Sequence, residues 1–281
     1  MPISRYKKVF HSLWKNKRAL IGCFILLSVV MGAIGAAFIS PYDPLKQDLT
    51  LRLKPPGWRQ GNNIYWLGTD YLGRDVASRI IYGTRITLLV SIFALFIGAI
   101  LGITVGLVSG YFGGKIDTMF MRLADIQLSF PFILLVIAII AVLGPSTTNL
   151  ILVLGITGWV IYARIVRSEV LSLREREFIT AAKALGCSDF KIIFSHLLPN
   201  VGATCIVIAT LEIARIILFE SGLSFLGLGV QPPTPTWGSM LAEGRAYLFT
   251  SWWLATFPGI ALMLTVLGIN VVGDWLRDFF V

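Results

Sequence analysis

Charged side chains are scarce in this sequence. Asp, Glu, Lys and Arg make up 14% of the chain and hydrophobic residues 56%, whereas a soluble domain carries about 25% charged residues. That balance excludes an ordinary soluble globule. Cysteine is rarer still: Cys23, Cys187 and Cys205 have neither the number nor the spacing of a disulfide framework or a zinc site, and buried thiols are their ordinary reading. No string fits GxxxxGK[ST], HExxH or GxSxG, so nucleotide hydrolysis, zinc proteolysis and serine hydrolysis by this chain lack their motifs. The nearest string to the first, GYFGGKI from Gly110, lacks a Gly where one is required. No catalytic residue and no metal ligand is assigned. Acidic residues are outnumbered 15 to 24, but the basic excess clusters beside apolar runs. That is membrane topology and not a groove for nucleic acid.

The apolar runs predict an all-α polytopic membrane protein with six transmembrane helices. Residues 1–18 carry Arg5, Lys7, Lys8, Lys15, Lys17 and Arg18, with Tyr6, Phe10, Leu13 and Trp14 on one face. This fits an interfacial helix on an anionic cytoplasmic leaflet. Residues 19–39 are too long for a signal h-region, lack a convincing small-residue cleavage site, and form span one. Residues 40–83, with Pro41, Pro44, Pro55 and Pro56, form a hydrophilic extracytoplasmic segment. Span two, about 84–110, places Gly98, Gly102, Gly106 and Gly110 four apart, the spacing that lets helix backbones approach closely. Span three ends near residue 143 after a short inner turn, with Asp117, Arg122 and Asp125 as interfacial ion-pairing groups. Span four covers about 150–166, and the bases that follow it place the next loop in the cytoplasm.

That loop, about 168–199, reads as two short helices with a break. Ala181, Ala182, Ala184 and Leu185 favour helix, and Gly186 suits a helix C-terminus. Ser188 and Asp189 can cap a second helix through Phe190, Ile193, Phe194 and Leu197, which Pro199 stops. A projecting knuckle of this kind suits docking to another protein.

Span five, about 201–226, carries Glu212, Arg215 and Glu220. At about 100° per residue these share an arc of about 140°, which should face protein or water. Glu212 and Arg215 either neutralise each other within the helix or line a translocation cavity; a structural role suits Glu220. Residues 227–240 are Pro-rich and read as an irregular outer loop. Trp252 and Trp253 mark the outer interface of span six, where Pro258-Gly259 should introduce a kink. Six spans leave both termini cytoplasmic.

The loop spacing also resembles the signature of ABC importer permeases, Glu-Ala-Ala, three residues, Gly, nine residues, Ile-x-Leu-Pro. Thr180, Ala181, Ala182, Gly186, His196, Leu198 and Pro199 fall in register, with Thr180 in place of Glu and His196 in place of Ile. SPYDP (40–44), LGTDYLGRDVASRIIYGTR (67–85), GYFGGKID (110–117), MRLADIQLSFP (121–131), ESGLSFLGLGVQPPTPTWGSML (220–241) and GDWLRDFF (273–280) look like the dipeptide, oligopeptide and nickel permeases in their C-type subunit. The resemblance covers nearly the whole chain in the family's order. It implies a type I importer permease fold, with residues 1–83 an N-terminal extension and residues 84–281 a five-helix core. It also implies a second homologous permease subunit, two ATPases that carry the ATP and Mg, and an extracytoplasmic binding protein. No cofactor is expected on this chain. The setting is a bacterial or archaeal cell membrane, the inner one in a Gram-negative cell.

The resemblance makes Thr180, Ala181, Ala182, Leu185, Gly186, Ser188, Asp189 and Phe190 the ATPase-docking residues. Swinging a two-state permease from 1:99 to 99:1 takes about 5.5 kcal/mol of differential binding, so one short helix transmits that change and does not generate it. The cargo implied is a short peptide, with nickel, glutathione or another small solute as alternatives. An ion-coupled secondary transporter is the rival class, since intramembrane charges can carry coupling ions; no internal repeat of the kind common in such folds is evident.

Overall fold

The computed structural model describes residues 12–280, so the interfacial helix expected over residues 1–18 lies mostly outside the described residues. Helix α1 (Lys17–Ile34) opens where the Asn16 side chain accepts hydrogen bonds from the Arg18 and Ala19 amides, both at 3.1 Å. Gly35 interrupts it, and a single turn, α2 (Ala36–Ile39), completes the first crossing. The hydrophilic segment that follows is ordered. It holds a 3₁₀ turn (Leu49–Leu51) and an antiparallel hairpin of β1 (Trp58–Gln60) and β2 (Asn63–Tyr65), with Trp58 opposite Tyr65.

Helix α3 (Val76–Phe112) is the axis of the molecule. It begins about two turns before the apolar stretch does, a correction to the boundary at residue 84. Asp75 supplies the N-cap, accepting from the Ser78 amide at 2.7 Å, and Val76 and Ile80 pack on Met240, Trp253 and Leu254. Hydropathy misses this turn because its polar side chains are paired inside the protein.

Span three also departs from the straight helix expected. Helices α4 (Gly114–Leu128) and α5 (Phe132–Leu143) meet at 88°. The break falls at Phe130-Pro131, where proline disfavours the helical conformation of the residue before it. The next crossing joins α6 (Thr147–Thr157) to α7 (Trp159–Arg174) across Gly158. Two short helices, α8 (Glu177–Ala184) and α9 (Asp189–Ile192), lead through a π-helical turn (Ile193–Leu197) into α10 (Leu198–Phe225).

Pro199 therefore does not end the second loop helix. A proline removes one N–H and crowds the carbonyl four residues back. Here the wider turn, with the Leu198 amide bonded to the Ile193 carbonyl, brings the chain past it, and the crossing runs from Asp189 to Phe225. The Pro-rich loop over 227–240 is corrected too: Trp237–Arg245 is a helix, α11, opened by a Thr236–Ser239 capping box. Helix α12 (Trp253–Phe280) passes Pro258-Gly259 without a break.

Among the described residues, five helices are long and apolar enough to cross a membrane, and the bent pair makes a sixth if counted as one. Helix α3 packs on α1, α4, α6, α7 and α10, while α12 packs on α1, α10 and α11. The glycine stripe lies along the α3 contact with α6 and α7. A Cβ on Gly102 would stand 2.3 Å from the Trp159 carbonyl oxygen, and one on Gly98 3.0 Å from that of Gly155. Gly106 meets Ala163 and Val166, and Gly110 meets Val170 and Arg167 in the same manner.

Candidate functional site

The loop between α7 and α10 folds as a knuckle on a buried base. Helix α8 buries Ile179 and Ala182 into a cluster with Leu107, Val166, Val170, Ile192, Ile193 and Leu197. At its end the Cys187 amide reaches the Ala182 carbonyl and the Gly186 amide reaches that of Lys183. These two bonds need the intervening residue in the left-handed region, and Gly186 has φ +76°. Ser188 then caps α9 through the Lys191 amide.

The outward side carries large apolar residues among polar ones. Leu185 is 85% exposed and Phe190 71% exposed, and the Phe190 ring lies 4.3 Å from that of Phe194. Thr180, Ala181 and Ser188 are exposed beside them, whereas Ala182 faces the core. Asp189 is not a free charge: it accepts a hydrogen bond from the Tyr111 hydroxyl at 2.6 Å. A Cβ on Gly186 would meet nothing within 4 Å, so that position has open space and a backbone demand.

Within the bundle, Arg215 lies 3.3 Å from buried Glu212 and its guanidinium sits over the rings of Phe132 (4.7 Å) and Phe219 (5.4 Å). Glu220 is separate and fully buried, accepting from Thr87, Ser221 and Ser224. Asp117 pairs with Arg167 and Asp125 with Arg164, while Arg122 is exposed. Gln127 donates to the Thr157 carbonyl at 2.6 Å and accepts from the Trp159 indole at 2.8 Å, hooking α4 to the bend at Gly158.

The end of the bundle where α3 begins holds a group that sequence reasoning missed. Buried Asp70, Arg74 and Arg79 form an ion network with Glu243 of α11, with Arg74–Asp70 at 2.6 Å and Arg79–Glu243 at 2.6 Å. Trp253, expected at the interface, is instead buried and donates to the Thr69 carbonyl; Trp252 is the exposed one. Next to this network, burial pushes the Asp75 carboxyl above its usual range, against the opposing effect of its hydrogen bonds from Ser78.

Residues 102–281 match the family described as the binding-protein-dependent transport system inner membrane component. The chain belongs to that family. Residues 4–56 of the permease match the N-terminal TM domain of oligopeptide transport permease C, in agreement with the C-type motifs. It is 45% identical over 276 residues to the dipeptide transport system permease protein DppC of Alkalihalophilus pseudofirmus, covering 98% of this chain and 89% of the relative. The di/tripeptide transport system permease protein DppC of Pseudomonas aeruginosa is 41% identical, with 98% and 91% covered. The glutathione transport system permease protein GsiD of Pectobacterium atrosepticum is 37% identical, with 99% and 93% covered. Among solved structures, the inward-facing MetNI methionine ABC transporter aligns with TM-score 0.57 and 20% identity over 72% of this chain and 96% of that one. The permease fold is that of a type I ABC importer, and the chain is an integral membrane protein.

Proposed function

We propose that the permease is the C-type subunit of an ATP-driven importer for di- or oligopeptides. In this reading it forms half of the pathway beside a second, homologous permease. An extracytoplasmic binding protein delivers cargo to its outer loops, and two cytoplasmic ATPases bind the ATP and Mg. Both termini lie in the cytoplasm, and the membrane is the cell membrane, the inner one in a Gram-negative bacterium. The observation that carries the coupling role is the knuckle. It sets exposed Leu185 and Phe190 on a turn fixed by two hydrogen bonds over a buried base, a knob whose two apolar side chains can enter a partner's groove.

Replacing Gly186 with valine tests this. A left-handed backbone costs a residue with a Cβ about 1–2 kcal/mol, enough to rearrange the turn but not to unfold the bundle. Insertion should persist while peptide uptake falls at least tenfold; unchanged ATPase assembly and uptake would remove the docking role. The 37% identical glutathione permease keeps glutathione as an alternative cargo, and competition for uptake between labelled dipeptide and glutathione separates them. Uptake into vesicles driven by a proton gradient without ATP would favour ion-coupled transport instead. Glu212 and Arg215 are proposed to line the translocation path, where Arg215, partly exposed and held against two rings, can meet a peptide carboxylate.

A further inference from the structure

Three consecutive residues near the end of α3 make polar contacts around the knuckle and its base. The Ser109 hydroxyl donates to Asp117 at 2.5 Å, and Asp117 in turn pairs with Arg167 of α7. The Gly110 carbonyl accepts from Arg174, the last residue of α7, at 3.2 Å. Tyr111 reaches the knuckle itself, and it reaches both halves. Its hydroxyl donates to Asp189 at the start of α9, and the Lys183 ammonium of α8 stands 5.1 Å from its ring centroid. Tyr111 is nearly buried, 8% exposed, in the cluster that forms the base of the knuckle.

By covalent connection the knuckle leads into α10. That connection passes through the π-helical turn and then Pro199, where the regular hydrogen-bond ladder is interrupted. Turns of this kind are where helices bend. The route to α3 contains no widened turn. It is one ring bound on both sides, at the end of a continuous 37-residue helix. The Gly98–Gly110 contacts then tie that helix to α6 and α7 at backbone distance.

The geometry points to Tyr111 as a positioning residue: it latches the docking knuckle onto α3, so that displacement of the knuckle is delivered to α3, α6 and α7 ahead of α10. The inference rests on the docking role proposed above. It gives the GYFGGKID stretch a task in coupling, with Tyr111 as the clamp between loop and bundle.

The test uses the full transporter reconstituted in vesicles, with a radiolabelled dipeptide as probe and a photoreactive group at Leu185. Tyr111→Phe keeps the ring beside Lys183 and removes only the hydrogen bond, which should shift the latched-to-free ratio about three- to tenfold. Peptide transported per ATP hydrolysed should fall at least twofold while cross-linking to the ATPase persists. Asp189→Ala should lower the same ratio, the pair together should do little more than either alone, and Asp189→Asn, which still offers an oxygen, should restore it. Should Tyr111→Phe not assemble, the comparison of Asp189→Ala with Asp189→Asn decides alone. Persisting cross-links with an unchanged ratio in the decisive variants would overturn the latch and leave docking standing. Absence of cross-links from the Leu185 probe in the complex with Tyr111 and Asp189 intact would overturn docking and the latch with it.

Discussion

Arg79→Met probes the ion network at the start of α3 most directly. In the folded permease Arg79 contacts Asp70 at 2.5 Å and Glu243 at 2.6 and 3.1 Å, and its side chain is 3% exposed. Asp70 and Glu243 balance Arg74 and Arg79, so the network is neutral. Methionine keeps much of the aliphatic volume but leaves two carboxylates facing Arg74 alone, at 2.6 and 3.1 Å. Removing one partner from a buried ion group costs about 3–5 kcal/mol. The Glu243 side chain is 21% exposed, so water screens part of the loss and the lower end, about 3 kcal/mol, is expected. Adding Glu243→Gln restores neutrality around the Asp70–Arg74 pair and should recover about 1–2 kcal/mol, within the range of coupling between contacting residues. Tryptophan fluorescence of the purified permease under rising denaturant reports the change, since Trp237 and Trp253 flank the same region. A loss under about 1 kcal/mol for Arg79→Met, or no recovery in the double variant, would refute the reasoning.

Gly102→Val should cost about 1–3 kcal/mol or more by overpacking against the α7 backbone and lower the folded yield. Gly202→Ala in α10, where a Cβ meets nothing within 4 Å, should instead raise stability by up to about 1 kcal/mol; the two melting temperatures read the contrast. Arg215→Ala should change the relative uptake of dipeptides of different charge, and an unchanged pattern would leave Arg215 a purely structural partner of Glu212. Asp75 has a raised folded-state pKa, so its protonated form stabilises the fold below the unfolded value of about 4, and that contribution is lost as pH rises through the folded value. Asp75→Asn should flatten the stability–pH curve across that window, measured by unfolding at stepped pH.

The spans were legible because apolar length is a local property, and the knuckle because Gly186 and Ser188 state their backbone needs in place. The early start of α3 was not legible: Asp70, Arg74 and Arg79 read as exposed loop charges until Glu243, more than 160 residues away, is seen between them. Helix α11 hid behind its prolines because its capping box uses Ser239 where Glu or Gln is the usual signal. Tyr111 carried no signal that separates a core tyrosine from a latch.

The order of residues by itself settled that this chain crosses a membrane, roughly where, and that a left-handed turn projects between the fourth and fifth crossings. Those features follow from hydropathy and backbone preference, each written within a few neighbouring residues. The tertiary structure alone decided which charges are paired, that Pro199 is passed by a widened turn, that span three is bent by 88°, and that the knuckle is fastened to α3 as well as to the helix that follows it. Such choices depend on which groups meet across the bundle, and a contact between distant residues leaves no periodicity in either of the segments that make it.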